Sequence, residues 1–250
     1  MTLKSAFKYQ LVDHKNSIII FYICIFAMTA LTFFSAMMST NNAISMVGGF
    51  EFATMIFLFV TGLNSFSESF RMLAQNGVSR KSMFQARMAV FAVLAFGMAI
   101  IDKIINLIGD SLASFVERFH WLSLYDQLFA RRAAAMNGFV STLESTLFDA
   151  SLYLAALGLG YFITIMYYRL DKNGKIAVSV GVPVGLMVGL PILERFISGG
   201  RIARALYRFI LFAFGIRTAT PYASMTTFCI SFLVLCGLGW LMMRRAAVKA

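Results

Sequence analysis

FRMLAQNGVSRKSMF, residues 70–84, is a polar island between two long apolar stretches of the 250-residue chain. Whether it belongs to the surface of a soluble domain or joins two membrane spans decides the fold. The chain is 60% apolar and only 13% charged, with a mean hydropathy of +0.78. A soluble domain must cover its core with polar surface, and this composition cannot supply that cover. The island therefore connects two spans in water, and its residues read as a helix, a glycine turn and the start of a second helix.

Outward from the island, apolar runs of membrane length recur. A hydrocarbon core of about 30 Å takes roughly 20 apolar helical residues. Residues 17–37, 43–63, 84–107, 147–168, 176–193 and 222–243 meet that length. The expected fold is all-α, a polytopic membrane protein with six transmembrane helices in a single membrane domain, residues 1–250. No polar stretch is long enough for a separate soluble catalytic domain, so soluble machinery must come from a partner. Arg87 lies near the start of the third span and Asp102 with Lys103 near its end, where long side chains snorkel and the carboxylate reaches interfacial water.

Six spans put both termini on one side. Lys and Arg number thirteen on that side and nine on the other, so the positive-inside bias places both termini in the cytoplasm and the chain in the cell membrane. Residues 1–16, MTLKSAFKYQLVDHKN, put Leu3, Phe7 and Leu11 at helical spacing with lysines on other faces. That pattern predicts an amphipathic helix on the cytoplasmic leaflet. Residues 64–83 form the cytoplasmic elbow that contains the island, and residues 108–146 a long external loop. The net charge of +11 flanks apolar segments instead of forming a soluble basic face, which points to lipid headgroups and away from nucleic acid.

Residues 194–221 carry an apolar run, 209–216, too short to span. Arg201, Arg204 and Arg208 share one helical face ahead of it. Such a helix lies in the headgroup plane or dips into the outer leaflet before the last span. Two roles fit the stripe: an anchor on anionic membrane lipids, or a basic lip over an exit path for an anionic or amphipathic cargo.

Catalytic signatures are missing. The two histidines, His14 and His120, have no metal-ligand spacing, and the sequence holds no HExxH, GxSxG or GxxxxGK[ST]. The chain is not expected to be an enzyme or to hold a metal or cofactor of its own. The three cysteines lie in apolar runs and read as small hydrophobes. Glu51 is an acidic residue inside an apolar run, where a charge is costly unless it faces protein or water. A wetted outer vestibule, an interhelix hydrogen bond and a proton relay all fit it; a relay needs further acids, and the other spans offer none at mid-depth. Gly181, Gly185 and Gly189 recur every four residues and predict a flat helix-packing stripe. Pro183 in the same span removes a backbone donor and predicts a kink, a combination that a moving gate would also use.

Within the island, Ser65, Ser67 and Glu68 extend the second span. Gly77 permits the left-handed turn that ends this helix, Ser79 caps the next, and Arg80 with Lys81 stand at the membrane edge. The product is a short rigid elbow, suited to docking a partner or to anchoring on the positive-inside surface.

The island resembles the cytoplasmic coupling region of bacterial ABC exporter permeases of the type 2 class, in which an "nGvsRk" turn follows the second span. The layout is also similar: a cytoplasmic amphipathic helix, six spans, inward termini and membrane-dipping helices before the last span. The motif covers about fifteen residues, the architecture nearly the whole chain. The resemblance implies that Gln75, Asn76, Gly77, Val78, Ser79, Arg80 and Lys81 contact a separate ABC-type ATP-binding subunit, which holds ATP and Mg. It further implies a second permease copy or a paralogue around a transport path. The long outer loop departs from the sugar- and polymer-exporting branches, so the cargo is not inherited; an amphipathic, peptide or lipid-like substrate fits the arginine stripe. Three rivals stand beside this reading: a secondary transporter or channel, a non-transporting immunity or assembly protein, and an intramembrane enzyme, which the missing catalytic set weakens.

Overall fold

The computed structural model describes residues 3–38, 45–115, 119–193, 195, 199–216 and 220–244. The connection 39–42, the basic residues Arg118, Arg217, Arg245 and Lys249 that enter the charge count, and Glu194 of the 194–221 region lie outside the described residues. In chain order the elements are α1 (Leu3–Asp13), α2 (Lys15–Met38), β1 (Ser45–Gly48), α3 (Glu51–Asn64), α4 (Ser67–Gln75), α5 (Arg80–Ala113), β2 (Phe119–Leu122), α6 (Leu124–Ala135), α7 (Gly138–Arg169) and α8 (Lys172–Val184). A π-helical segment (Gly185–Gly189), α9 (Leu190–Leu193), α10 (Arg201–Ala213) and α11 (Pro221–Met243) follow. The fold is all-α but for one parallel ladder that pairs Ser45 through Gly48 with Phe119 through Leu122.

Four helical segments are long and apolar enough to cross a membrane: Leu3–Met38, Arg80–Ala113, Gly138–Arg169 and Pro221–Met243. They fit a multi-pass membrane protein. The second and fifth expected spans take other forms. Across 43–63, α3 has 14 residues and rises about 21 Å, short of the full core, because Ser45–Gly48 is drawn into the ladder. Across 176–193, the helix runs through Pro183 into the π-helical segment. Proline has no N–H to return to the preceding turn, and the hydrogen-bond ladder widens immediately after it.

Helix α7 is the centre of the bundle, packed against α3, α5 and α11. Glycines make this packing close. A Cβ on Gly160 would stand 2.3 Å from the Phe59 carbonyl oxygen, and one on Gly62 2.6 Å from the Leu157 carbonyl oxygen. On the other flank, a Cβ on Gly158 would meet Phe232 Cδ2 of α11 at 2.9 Å. Backbones that approach this closely exclude any side chain at the crossing.

The expected packing stripe is corrected here. Gly181 and Gly185 are exposed and Gly189 is half-buried, and a Cβ on any of them would meet nothing within 4 Å. Their spacing flattens a face that no described helix covers. The packing glycines are Gly62, Gly158 and Gly160, which do not repeat along one helix and so carry no visible stripe.

The amino-terminal helix is also placed differently. Ala6 and Gln10 form its buried face, His14 just past its end is buried too, and α1 lies along α5. Phe7 and Leu11 are half-buried beside the core while Leu3 stays exposed. The helix docks on protein through small and polar residues, which a hydrophobicity pattern does not reveal. Residues 108–146, expected as a loop, are mostly regular: α5 continues to Ala113, and β2 and α6 follow before α7 begins. The Ser123 hydroxyl caps α6 by accepting from Asp126 N at 3.1 Å.

Candidate functional site

The elbow is built as the sequence spells it. Helix α4 buries Phe66, Phe70 and Leu73 and turns Ser67, Glu68, Arg71 and Gln75 outward. Phe66 stacks on Phe70 at 4.8 Å between ring centroids, and Tyr168 of α7 meets both rings edge-on. Gly77 then adopts a φ of 69°. Gly77 N donates to Ala74 O at 3.1 Å and Val78 N to Leu73 O at 3.1 Å, the two reversed bonds of a Schellman stop. Val78 is buried with Leu73. Two residues later Ser79 opens α5, its hydroxyl accepting from Ser82 N at 3.2 Å. Arg80 donates from Nη1 to the Arg244 carbonyl at the end of α11.

Of the expected contact residues, Gln75, Asn76, Gly77, Ser79, Arg80 and Lys81 are exposed and Val78 is the inward anchor. Beside them runs an open groove of about 850 Å³, lined by Asn64, Ser67, Glu68, Arg71, Gln75 and Thr164 among others. The elbow is thus a fixed polar protrusion whose apolar roots lie in the bundle.

A second polar centre is buried between α3, α5 and α7. Glu51 opens α3 and is fully buried. Its Oε1 accepts from Asn106 Nδ2 at 2.8 Å and Leu124 N at 3.1 Å, and Asn106 Oδ1 in turn accepts from Trp121 Nε1 at 2.8 Å. Trp121 seats over Gly109, where a Cβ would collide with the indole at 2.2 Å. One turn before Asn106 on α5, Asp102 accepts from Tyr22 Oη at 2.8 Å and from Tyr153 Oη of α7. Asp149, one turn before Tyr153, is buried as well. Glu51 Oε2 and Asp149 Oδ1 find no hydrogen-bond partner among the described residues.

This centre corrects two expectations. Asp102 does not reach interfacial water, because two tyrosines hold it inside the bundle. Glu51 is not without acidic company, because the i, i+4 pairs Asp102/Asn106 and Asp149/Tyr153 turn their polar members toward α3. That spacing was the available signal. Among the described residues no group of three His, Cys, Asp or Glu is arranged to hold a metal ion.

A third cluster braces α6, α7 and α11. Arg132 donates from Nε and Nη2 to both Glu144 oxygens, at 2.9 and 2.8 Å. Tyr125 and Tyr222 donate to the same carboxylate, and the Arg132 guanidinium lies 4.9 Å from the Tyr222 ring centroid. The bond to Glu144 holds the Arg132 pKa above its ordinary value. Burial, then the bond to Glu144, raises the Tyr125 phenol. No hydrophobicity pattern marks this cluster.

The arginine stripe is exposed along α10. Arg201, Arg204 and Arg208 line a shallow depression of about 250 Å³, and Arg204 Nε returns to the Gly200 carbonyl at 2.8 Å. At its end the helix is held by buried Ala213 and by Phe214 against Phe228 of α11 at 5.6 Å.

No family model, curated relative or solved structure matches this chain.

Proposed function

We propose that this chain is the membrane subunit of an ATP-driven exporter, an ABC exporter permease that works with a separate ATP-binding subunit. The observation that supports it is the elbow: an exposed polar turn from Gln75 to Lys81, stopped and restarted by Gly77 and Ser79 and rooted through Phe66, Phe70, Leu73 and Val78. A loop that only joined two spans would need no such roots. In this reading ATP and Mg stay on the partner, and closure of two ATPase subunits drives two elbows together. Because α4 sits between α3 and α5, the push tilts both helices and shifts the path between inward and outward access.

Six crossings belong to this reading, with β1–α3 and α8–α9 as the irregular ones. The termini and the elbow then face the cytoplasm, and α10 rests on the outer leaflet near an amphipathic, peptide or lipid-like cargo. Co-expression with the neighbouring open reading frames tests it. An ATPase should co-purify, and Gly77→Ala with Arg80→Ala should lower export. Export that survives both substitutions in the absence of any bound ATPase removes the reading.

One observation favours a second reading, ion-coupled secondary transport. Glu51, Asp102 and Asp149 supply buried acids between three helices, the element such a carrier requires. Transport that persists without ATP, collapses with the proton gradient and is lost in Glu51→Gln and Asp149→Asn would select it.

A further inference from the structure

Arg87 sits in the second turn of α5, beneath the elbow, and does not snorkel to the surface. It is 2% exposed. Nη1 approaches His14 Nε2 at 3.3 Å, and the guanidinium lies 5.9 Å from the Phe91 ring centroid. Nη2 has no partner among the described residues, and among them no carboxylate lies within ion-pairing distance of Arg87. Among carboxylates Asp13 acts on it most strongly, from an exposed position. An arginine cannot shed its charge, and a buried cation is retained only with a counter-charge.

Next to it lies a small cavity where α1, α4, α5, α7 and α11 converge. Gln10, Ser65, Ser69, Arg87, Tyr161 and Met243 contribute to its wall, and the space holds one particle of roughly water size. Gln10, also 2% exposed, has an unpartnered Oε1 here. A water accepting from Arg87 and donating to Gln10 would satisfy both atoms but leave the charge unbalanced. Sulfate, organic carboxylates and nucleotides exceed the space. Phe66 and Phe70 also line it. Turning the Gln10 amide about its last torsion presents N–H instead of oxygen.

We propose that this cavity binds one small inorganic monovalent anion of the chloride class, held by Arg87. The bound ion completes the contact between α1, α4 and α5, so its occupancy sets how firmly the elbow is rooted. The proposal is independent of any ATPase.

The test is thermal unfolding of the purified full chain in nanodiscs, in chloride against gluconate at constant pH and ionic strength. Chloride should raise Tm saturably, by roughly 3–5 °C at ten times its dissociation constant, and the larger iodide should not substitute for it. Arg87→Gln should remove the chloride dependence. Gln10→Glu supplies a tethered anion, so its Tm in gluconate should approach that of the wild type in chloride, with no further response to chloride. Equal wild-type Tm in the two salts overturns the proposal, and so does an unchanged chloride response in Arg87→Gln. If Arg87→Gln does not fold, Gln10→Glu decides: a chloride response equal to that of the wild type overturns the proposal.

Discussion

Val78 N donates to the Leu73 carbonyl at 3.1 Å across the left-handed Gly77, and both side chains are buried beneath the turn. This one bond ties the end of α4 to the approach of α5, so the exposed tip cannot swing independently of the bundle.

The first prediction follows from that turn. Gly77 has open space around it but a φ of 69°, so Gly77→Ala meets backbone strain and no clash. The expected loss is about 1–2 kcal/mol. Gly77→Asn should lose less, because asparagine tolerates this region. Thermal unfolding in detergent measures the order Gly, Asn, Ala.

The glycines at the α3–α7 crossing give a sharper contrast. Gly160→Ala would push a Cβ into backbone at 2.3 Å, which nothing flexible can relieve. A loss of about 1–3 kcal/mol is expected. Gly185→Ala, in open space, should stay within roughly 0.5 kcal/mol of the wild type. Equal Tm for the two variants would contradict the packing described above.

For the buried acids, Asp102 and Tyr153 should be energetically coupled. Asp102→Ala and Tyr153→Phe each break the same bond, so the double variant should lose less than the sum of the singles. A coupling of about 0.5–3 kcal/mol is the expected size, read from a double-mutant cycle of thermal or denaturant unfolding.

The brace at the opposite end yields another test. Glu144→Gln removes the charge that Arg132 grips and weakens the acceptor shared by Tyr125 and Tyr222. About 1–3 kcal/mol should be lost. Arg132→Met with Glu144→Leu and Tyr125→Phe should recover part of it, because no unpaired charge and no orphaned buried hydroxyl remain. Chemical crosslinking between cysteines placed on α6 and α11 would report whether the brace opens.

The features legible in the sequence are local ones. Gly77, Ser79 and the apolar residues of α4 act through bonds to near neighbours, and the structure places the turn and the cap where the residues call for them. The long apolar runs of α2, α5, α7 and α11 were equally readable. What the sequence hid depends on contacts between distant segments. Gly62 matters only because Leu157 and Gly160 lie opposite it, and Gln10 and Arg87 look like surface residues until α1 is laid along α5. The strand Ser45–Gly48 looked like part of a span because apolarity does not distinguish a chain crossing lipid from one paired beneath a cap.

That strand has a consequence for assembly. Ser45 meets Phe119 in a parallel register, so the pairing cannot form until α3, α4 and α5 have doubled back and brought β2 alongside. Closing so wide a loop yields little until its base is already folded. The ladder is therefore expected to fasten late, after the helices between its two strands have packed.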